Sequence, residues 1–248
     1  MLILLPPSES KAGRRRGRPL DLDRLSFPEL TETRRQVAQS LAKVSAHHDA
    51  AAMLGVSPTL TAEIARNLVL ETSPALPAAR VYTGVLYDAL DLASLDPAAR
   101  RRANRWLVTV SALFGAVRPR DAIVPYRLSM AVNLPGVGPL ASAWKPELAQ
   151  VLPGAAGRGV IVDCRSSTYA AAWTPGGDLA ERWVQVRVPG TTHMAKHTRG
   201  LVARHLCTDG ADPRTVPSLA EVVGRRFDVE LTEPRREGLP WVLDATAR

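Results

Sequence analysis

Lysine is scarce in this chain: Lys11, Lys43, Lys145 and Lys196 are the four in 248 residues, and arginine supplies the rest of the positive charge. Lys196 stands out because it sits in the run Lys196-His197-Thr198-Arg199-Gly200, with Arg204 a little further along the same expected helix. An amine flanked by His197 and Arg199 is expected to feel like-charge repulsion, which lowers its pKa and makes it a nucleophile or general base near neutrality. The plainer alternative is a phosphate-contacting lysine on a cationic helix, which needs no catalytic machinery. Asp163 closes the apolar run Val160-Ile161-Val162, at the end of an expected buried strand, where carboxylates often act in α/β folds; the alternative is a cap for the next stretch of chain. With Tyr126, these residues would make a set able to work on a nucleobase or nucleotide, by analogy with enzymes that extrude a base before attacking it.

Other chemistries find no support. His47 and His48 are adjacent and should diverge on a helix, and His193 and His197, four apart, come without an H-E-x-x-H or C-x-x-C partner, so no resident metal is expected. Neither a G-x-S-x-G elbow, nor a phosphate loop, nor a strand followed by G-x-G-x-x-G is present, and no cofactor is expected. Two cysteines, Cys164 and Cys207, are too few for a disulfide framework and suit a reduced compartment. With no signal-peptide pattern and no long apolar run, the expectation is a cytoplasmic protein without a membrane partner.

The elements that must position these residues begin with Leu2-Ile3-Leu4-Leu5, a short strand buried on both faces and stopped by Pro6-Pro7. The loop after it, Ser8-Glu9-Ser10-Lys11 and then Arg14-Arg15-Arg16, lies where ligands bind in open α/β sheets. An amphipathic helix is predicted from Pro28 to about Ala46, with Ser26 as cap and Arg34, Arg35, Gln36 and Lys43 between its buried positions. Residues 53–65 read as a short hairpin joining two helices. A helix from Pro97 to Arg105 leads into a central strand, Trp106 to Leu113. Further strands are expected at 160–164, 183–188 and 227–231, with a helix from Met194 to about Leu206. The whole, residues 1–248, reads as one compact α/β (mixed α+β) domain with a central sheet.

Charge is uneven along this framework. The formal net charge is +8, and Arg100 to Met130 alone holds seven arginines against one acid, Asp121. This segment and the cluster at Lys196–Arg204 are expected to face one cleft and follow a polyanion. Two Gly-containing turns, Leu134 to Ala143 and Leu54 to Ser57, have the look of helix-hairpin-helix turns, in which backbone amides approach phosphate ahead of a helix N-terminus.

Five blocks then carry a resemblance. Met1 to Lys11, Val81-Tyr82-Thr83-Gly84, Ser111 to Gly115 running into Val117-Arg118-Pro119, Pro125 to Met130, and Lys196 to Gly200 resemble, in order, the signature blocks of the YaaA family of bacterial peroxide-stress proteins. The resemblance implies a single domain of unusual topology, a positively charged cleft and a helix-hairpin-helix element. It also implies a DNA-binding role in protection against hydrogen peroxide, exerted through limiting intracellular iron. Carried over by position, the matching residues are Ser8, Lys11, Tyr82, Thr83, Gly84, Ser111, Gly115, Arg118, Pro119, Tyr126, Arg127, Lys196, Arg199, Gly200 and Arg204. Lys11, Arg118, Arg127, Lys196, Arg199 and Arg204 are the expected DNA contacts, and Gly55 and Ser57 the expected hairpin. The alternative is an enzyme acting on a nucleobase, nucleoside or nucleotide-like small molecule in the same cleft, with Lys196, Asp163 and Tyr126 as its catalytic set.

Overall fold

Leu2-Ile3-Leu4-Leu5 forms β1, every residue of it buried, because it has a parallel neighbour on each side: β3 (Leu107–Ser111), with Ile3 opposite Leu107, and β8 (Ile161–Asp163), with Leu2 opposite Ile161. A strand enclosed in this way buries both faces, which is why it reads as a continuous apolar run and not an alternating one. The computed structural model describes residues 1–190 and 192–248, and the described side chains exclude those of Thr192 and His193. Its main sheet has the order β10-β11-β9-β8-β1-β3-β4. The five inner strands β11 (Trp241–Ala247), β9 (Trp183–Arg187), β8, β1 and β3 run parallel, while the edges β10 (Phe227–Thr232) and β4 (Gly115–Val117) are antiparallel. Two short pairs lie outside it: β2 (Leu76–Pro77) with β5 (Ala122–Ile123), and β6 (Asn133–Leu134) with β7 (Gly138–Pro139).

The chain leaves β1 for β3 on one side and returns to β8 on the other. Strand order therefore reverses beside β1, and a crevice opens beyond the carboxyl ends of β1 and β8.

The helices are α1 (Thr31–Ser45), α2 (Ala50–Met53), α3 (Thr61–Ala65), α4 (Ala78–Val81), α5 (Val85–Leu90), α6 (Pro97–Trp106), α7 (Leu140–Ala156), α8 (Ser167–Ala170), α9 (Thr192–Asp209) and α10 (Val216–Gly224). α9 packs along α5 at Gly200, where a Cβ would come within 2.2 Å of the Leu86 carbonyl oxygen, so only glycine permits this approach. Trp144 of α7 is fully buried against Gly115, whose φ of 69° and lack of a side chain make the room. No helix among the described residues is long and apolar enough to cross a membrane.

The fold departs from the sequence reading in four places. Ser26 does not cap the helix at Pro28: its backbone N–H and hydroxyl both donate to Asp121 Oδ1, at 3.0 and 2.8 Å. Arg34 is wholly buried, where the helical pattern put it among the polar positions, and its guanidinium donates to the carbonyls of Ser26, Phe114 and Ala116. Burial pushes its pKa down to about 10. The turn at Gly136 and Gly138 joins two strands, β6 and β7, so it is a β-hairpin ahead of α7 and no helix precedes it. Finally, β11 has no counterpart among the expected strands. Asp244 interrupts its apolar character, and the opposed Arg187 of β9 neutralises that carboxylate across the ladder.

Candidate functional site

A cavity of about 610 Å³ lies at the carboxyl ends of the parallel strands. The Pro6-Pro7 stop after β1 sends Ser8, Glu9 and Ser10 along its wall, Cys164 and Ser166 enter from the end of β8, and Lys196 and Arg199 come from α9, beyond β9. Arg127 lines it from the stretch between β5 and β6.

Lys11 is the most perturbed cation of the site. Its backbone bridges to Tyr82, and Ala12 N–H donates to Val81 O at 2.8 Å, which holds the side chain inward. Nζ donates to Ser8 O at 2.5 Å and to Glu9 O at 3.4 Å, and it rests 4.4 Å from the centre of the Tyr126 ring. The amine's pKa falls to about 7, chiefly because burial penalises the charged form, with Arg127 and then Arg66 adding like-charge repulsion against the opposing effect of Glu9. Beneath it the Tyr126 hydroxyl meets Ser111 Oγ at 2.7 Å and the Tyr82 hydroxyl at 3.3 Å, while Phe114 N–H donates to Ser111 Oγ. Burial raises the pKa of both tyrosines well above the ordinary phenol range, so they stay neutral donors. Burial likewise pushes the Cys164 thiol up to about 12, which suppresses its thiolate although it lines the cavity.

Arg127 is anchored by its backbone alone. Asn67 Oδ1 accepts from Arg127 N–H at 2.8 Å, and Asn67 Nδ2 donates to Arg127 O at 2.9 Å. The buried amide thus fixes the main chain and leaves the guanidinium to the cavity. Arg199 spends its Nε on Val186 O at 3.0 Å and lines the cavity. Lys196 is exposed at the mouth, 3.6 Å from Glu9 Oε1, so its nearest charged neighbour is a carboxylate and not the expected like charges.

Of the other expected residues, Gly55 also lines the cavity, while Asp163, Arg118 and Arg204 lie elsewhere. Asp163 is fully buried and does not line this cavity: Arg165 Nε and Nη2 donate to its two oxygens at 2.9 and 2.7 Å, Arg165 N–H adds 3.0 Å, and Trp183 Nε1 donates at 3.1 Å. Its role is to pin the end of β8 to the segment that leads into α8, so Lys196, Asp163 and Tyr126 do not converge. Arg118 packs over the Phe27 ring and donates to the Asn104 and Arg105 carbonyls at the end of α6. Arg204 donates to the carbonyls of Leu90 and Asp91 and to Ser94 Oγ. Of the seven arginines from 100 to 127, Arg127 lines the cavity, while Arg100, Arg102 and Arg118 hold backbone carbonyls. The two basic segments therefore do not both face the cleft as units.

The 53–65 hairpin joins α2 to α3 as expected. Gly55, at φ 62°, closes α2 in a Schellman arrangement: its N–H donates to Ala52 O and that of Val56 to Ala51 O, so both amides are used within the turn. Ser57 is exposed, its hydroxyl 2.8 Å from Thr59 Oγ1. His47 and His48 sit in the turn after α1 and not on it, with ring centres 4.2 Å apart, and Asp49 completes an exposed trio. The side chain of His193 lies outside the described residues.

An open, mostly parallel α/β sheet with a cavity at the carboxyl ends of its strands, lined by Lys11, Arg127, Lys196 and Arg199, defines the class. Within that class the chain belongs to the YaaA family of peroxide stress proteins, whose profile, described as "Peroxide stress protein YaaA", matches residues 1–230. It is 47% identical over 253 residues to a UPF0246 protein of Streptomyces coelicolor, covering 98% of this chain and 97% of that one. A UPF0246 protein of Corynebacterium efficiens is 40% identical, covering 98% of this chain and all of its own, and one of Salinispora tropica is 31% identical over 95% of this chain and 92% of its own.

Proposed function

We propose that the protein acts in the peroxide stress response by binding DNA through the rim of this cavity. One observation carries the reading: Lys11, Arg127 and the pair Lys196 and Arg199 of α9 arrive from three separate parts of the chain and converge on one opening, where Glu9 is the acid among the lining residues. Such a rim positions phosphates without reading bases, so affinity is weakly sequence-dependent and falls steeply with salt. Arg127→Ala and Arg199→Ala should each weaken binding to unrelated duplexes alike and flatten the salt slope by about 1, measured by fluorescence anisotropy across a salt series. Arg118→Ala and Arg204→Ala, which remove carbonyl contacts, should leave the slope alone. Affinity unchanged by Arg127→Ala would overturn the reading. Protection against iron-driven damage is then an indirect result of occupying DNA, checked by growth in peroxide of cells carrying the rim variants.

A second reading is supported by Lys11. A cavity of about 610 Å³ has the size of a small-ligand pocket. An amine with a pKa of about 7 inside it suits an enzyme acting on a nucleotide-like molecule better than a passive phosphate track. In this reading Lys11, and not Lys196, is the reactive lysine.

A further inference from the structure

We propose that Lys11 forms an imine with an aldehyde that carries a phosphate, the carbonyl carbon meeting Nζ inside the cavity while the phosphate lies against Arg127 and Arg199. The inference rests on the second reading of the cavity, as a ligand pocket, and not on DNA being its occupant.

Three features of the site carry it. First, Lys11 is a cavity-lining amine with no carboxylate partner within ion-pair range among the described residues, since Glu9 reaches out to Lys196 instead. Second, the charged groups around it are set against its ammonium form. Arg127 and, to a smaller extent, Arg66 repel it, Glu9 opposes them by more than Arg66 but less than Arg127, and the faces of Tyr126 and Tyr82 offer cation–π attraction that does not offset burial. Third, two N–H groups serve Ser8 O and Glu9 O, so losing one proton leaves a lone pair without breaking either contact. With a pKa of about 7, roughly half of the amine is neutral at pH 7, against fewer than about one in a thousand for an ordinary lysine. Desolvation beside other cations is how a lysine is prepared for attack on a carbonyl.

The partner's chemistry is set by the rest of the lining. The buried Cys164 thiol competes poorly, being protonated. The Arg127 side chain makes no hydrogen bond among the described residues, and Arg199, which lines the same cavity, engages only its Nε among them, which leaves donors for a bidentate anion such as phosphate. In the reaction the neutral amine attacks the aldehyde carbon, the C–N bond forms, and the carbonyl π pair moves to oxygen. One proton from the amine and one from solvent leave with that oxygen as water, and a protonated imine remains.

A phosphorylated aldehyde can be a free sugar phosphate or the open-chain sugar of an abasic site in DNA, and the test separates them. The full-length protein is incubated with 2-deoxyribose 5-phosphate in one arm and with an oligonucleotide carrying one abasic site in the other, each with sodium cyanoborohydride. Adducts are located by peptide mass mapping. Because the chain holds four lysines, Lys11, Lys43, Lys145 and Lys196, the map is unambiguous. The expected result is an adduct on Lys11 exceeding each other lysine by at least about tenfold at pH 7, its yield rising with a midpoint near 7. Arg127→Ala should lower the yield more with the phosphorylated probe than with propionaldehyde, the smaller loss with propionaldehyde reporting the rise in the Lys11 midpoint when the Arg127 repulsion is removed. Labelling in one arm alone identifies the source, and either arm supports the proposal. An adduct on Lys196, an even spread, or a Lys11 midpoint near that of a free lysine overturns it. Anisotropy without reductant reports DNA binding independently: binding without a Lys11 adduct sinks only this inference, and an adduct without binding sinks only the DNA reading.

Discussion

Two cations lie beyond the carboxyl ends of neighbouring strands, the buried Arg165 after β8 and the partly buried Lys11 after β1, and they are treated in opposite ways. Arg165 has a bidentate carboxylate in Asp163, two carbonyls in Tyr169 and Trp173, and no exposed surface. Lys11 has two carbonyls, two tyrosine rings and two guanidiniums. A matched partner turns the first into a rivet. The absence of one leaves the second holding unfavourable charge beside an open cavity, a condition that persists where the group has a use.

Removing a partner should expose this difference most strongly. Asp163→Asn leaves the Arg165 guanidinium buried without its counter-charge and should cost about 3–5 kcal/mol in denaturant unfolding, with any loss of ligand binding following stability. A variant that unfolds normally would mean that the pair is not structural. Lys11→Met should do the reverse near neutrality. Between pH about 7 and 10.5 the unfolded chain holds the Lys11 proton and the folded chain does not, so wild-type stability rises with pH through that window, and below it the penalty is complete. The variant's advantage should therefore be largest below pH 7 and shrink by at most about 1.4 kcal/mol per unit as pH rises, read as the difference between two pH series of unfolding midpoints. A constant difference would show that Lys11 is not depressed. Tyr126→Phe removes the bond to Ser111 and should cost about 1 kcal/mol, while moving the Lys11 trapping midpoint little because the ring beneath the amine remains.

The sequence was most legible where geometry is local. The strand stopped by Pro6-Pro7 and the amphipathic α1 follow from apolar spacing and proline chemistry, and both are present, with a cavity past β1. The arginines were not legible. A guanidinium offers five donors that serve a phosphate or a frayed helix end equally well, and Arg102 on Cys207 and Thr208, Arg118 on Asn104 and Arg105, and Arg204 on Leu90 and Asp91 use them on main-chain carbonyls. The positive charge of these three is thus mortar between segments of the fold. Lys196 has its basic neighbours in the sequence itself, whereas the perturbation of Lys11 comes chiefly from burial and then from Arg127, remote along the chain. The buried Asn67, which sets Arg127, carried no signal either, since a lone asparagine between short helices looks like any surface residue.

The position of β11 bears on how the chain is assembled. It lies between β9 and β10 in the sheet, although it comes after both along the chain. During synthesis β9 emerges with one edge unpaired, and β10 has no neighbour at all until Trp241–Ala247 is available. The half of the sheet carrying β1, β3, β4 and β8 can close first, so the nascent protein carries an open, apolar strand edge late in its production. Such an edge invites pairing with other chains. Loss of the last strand by truncation or proteolysis would therefore be felt as insolubility before it was felt at the cavity.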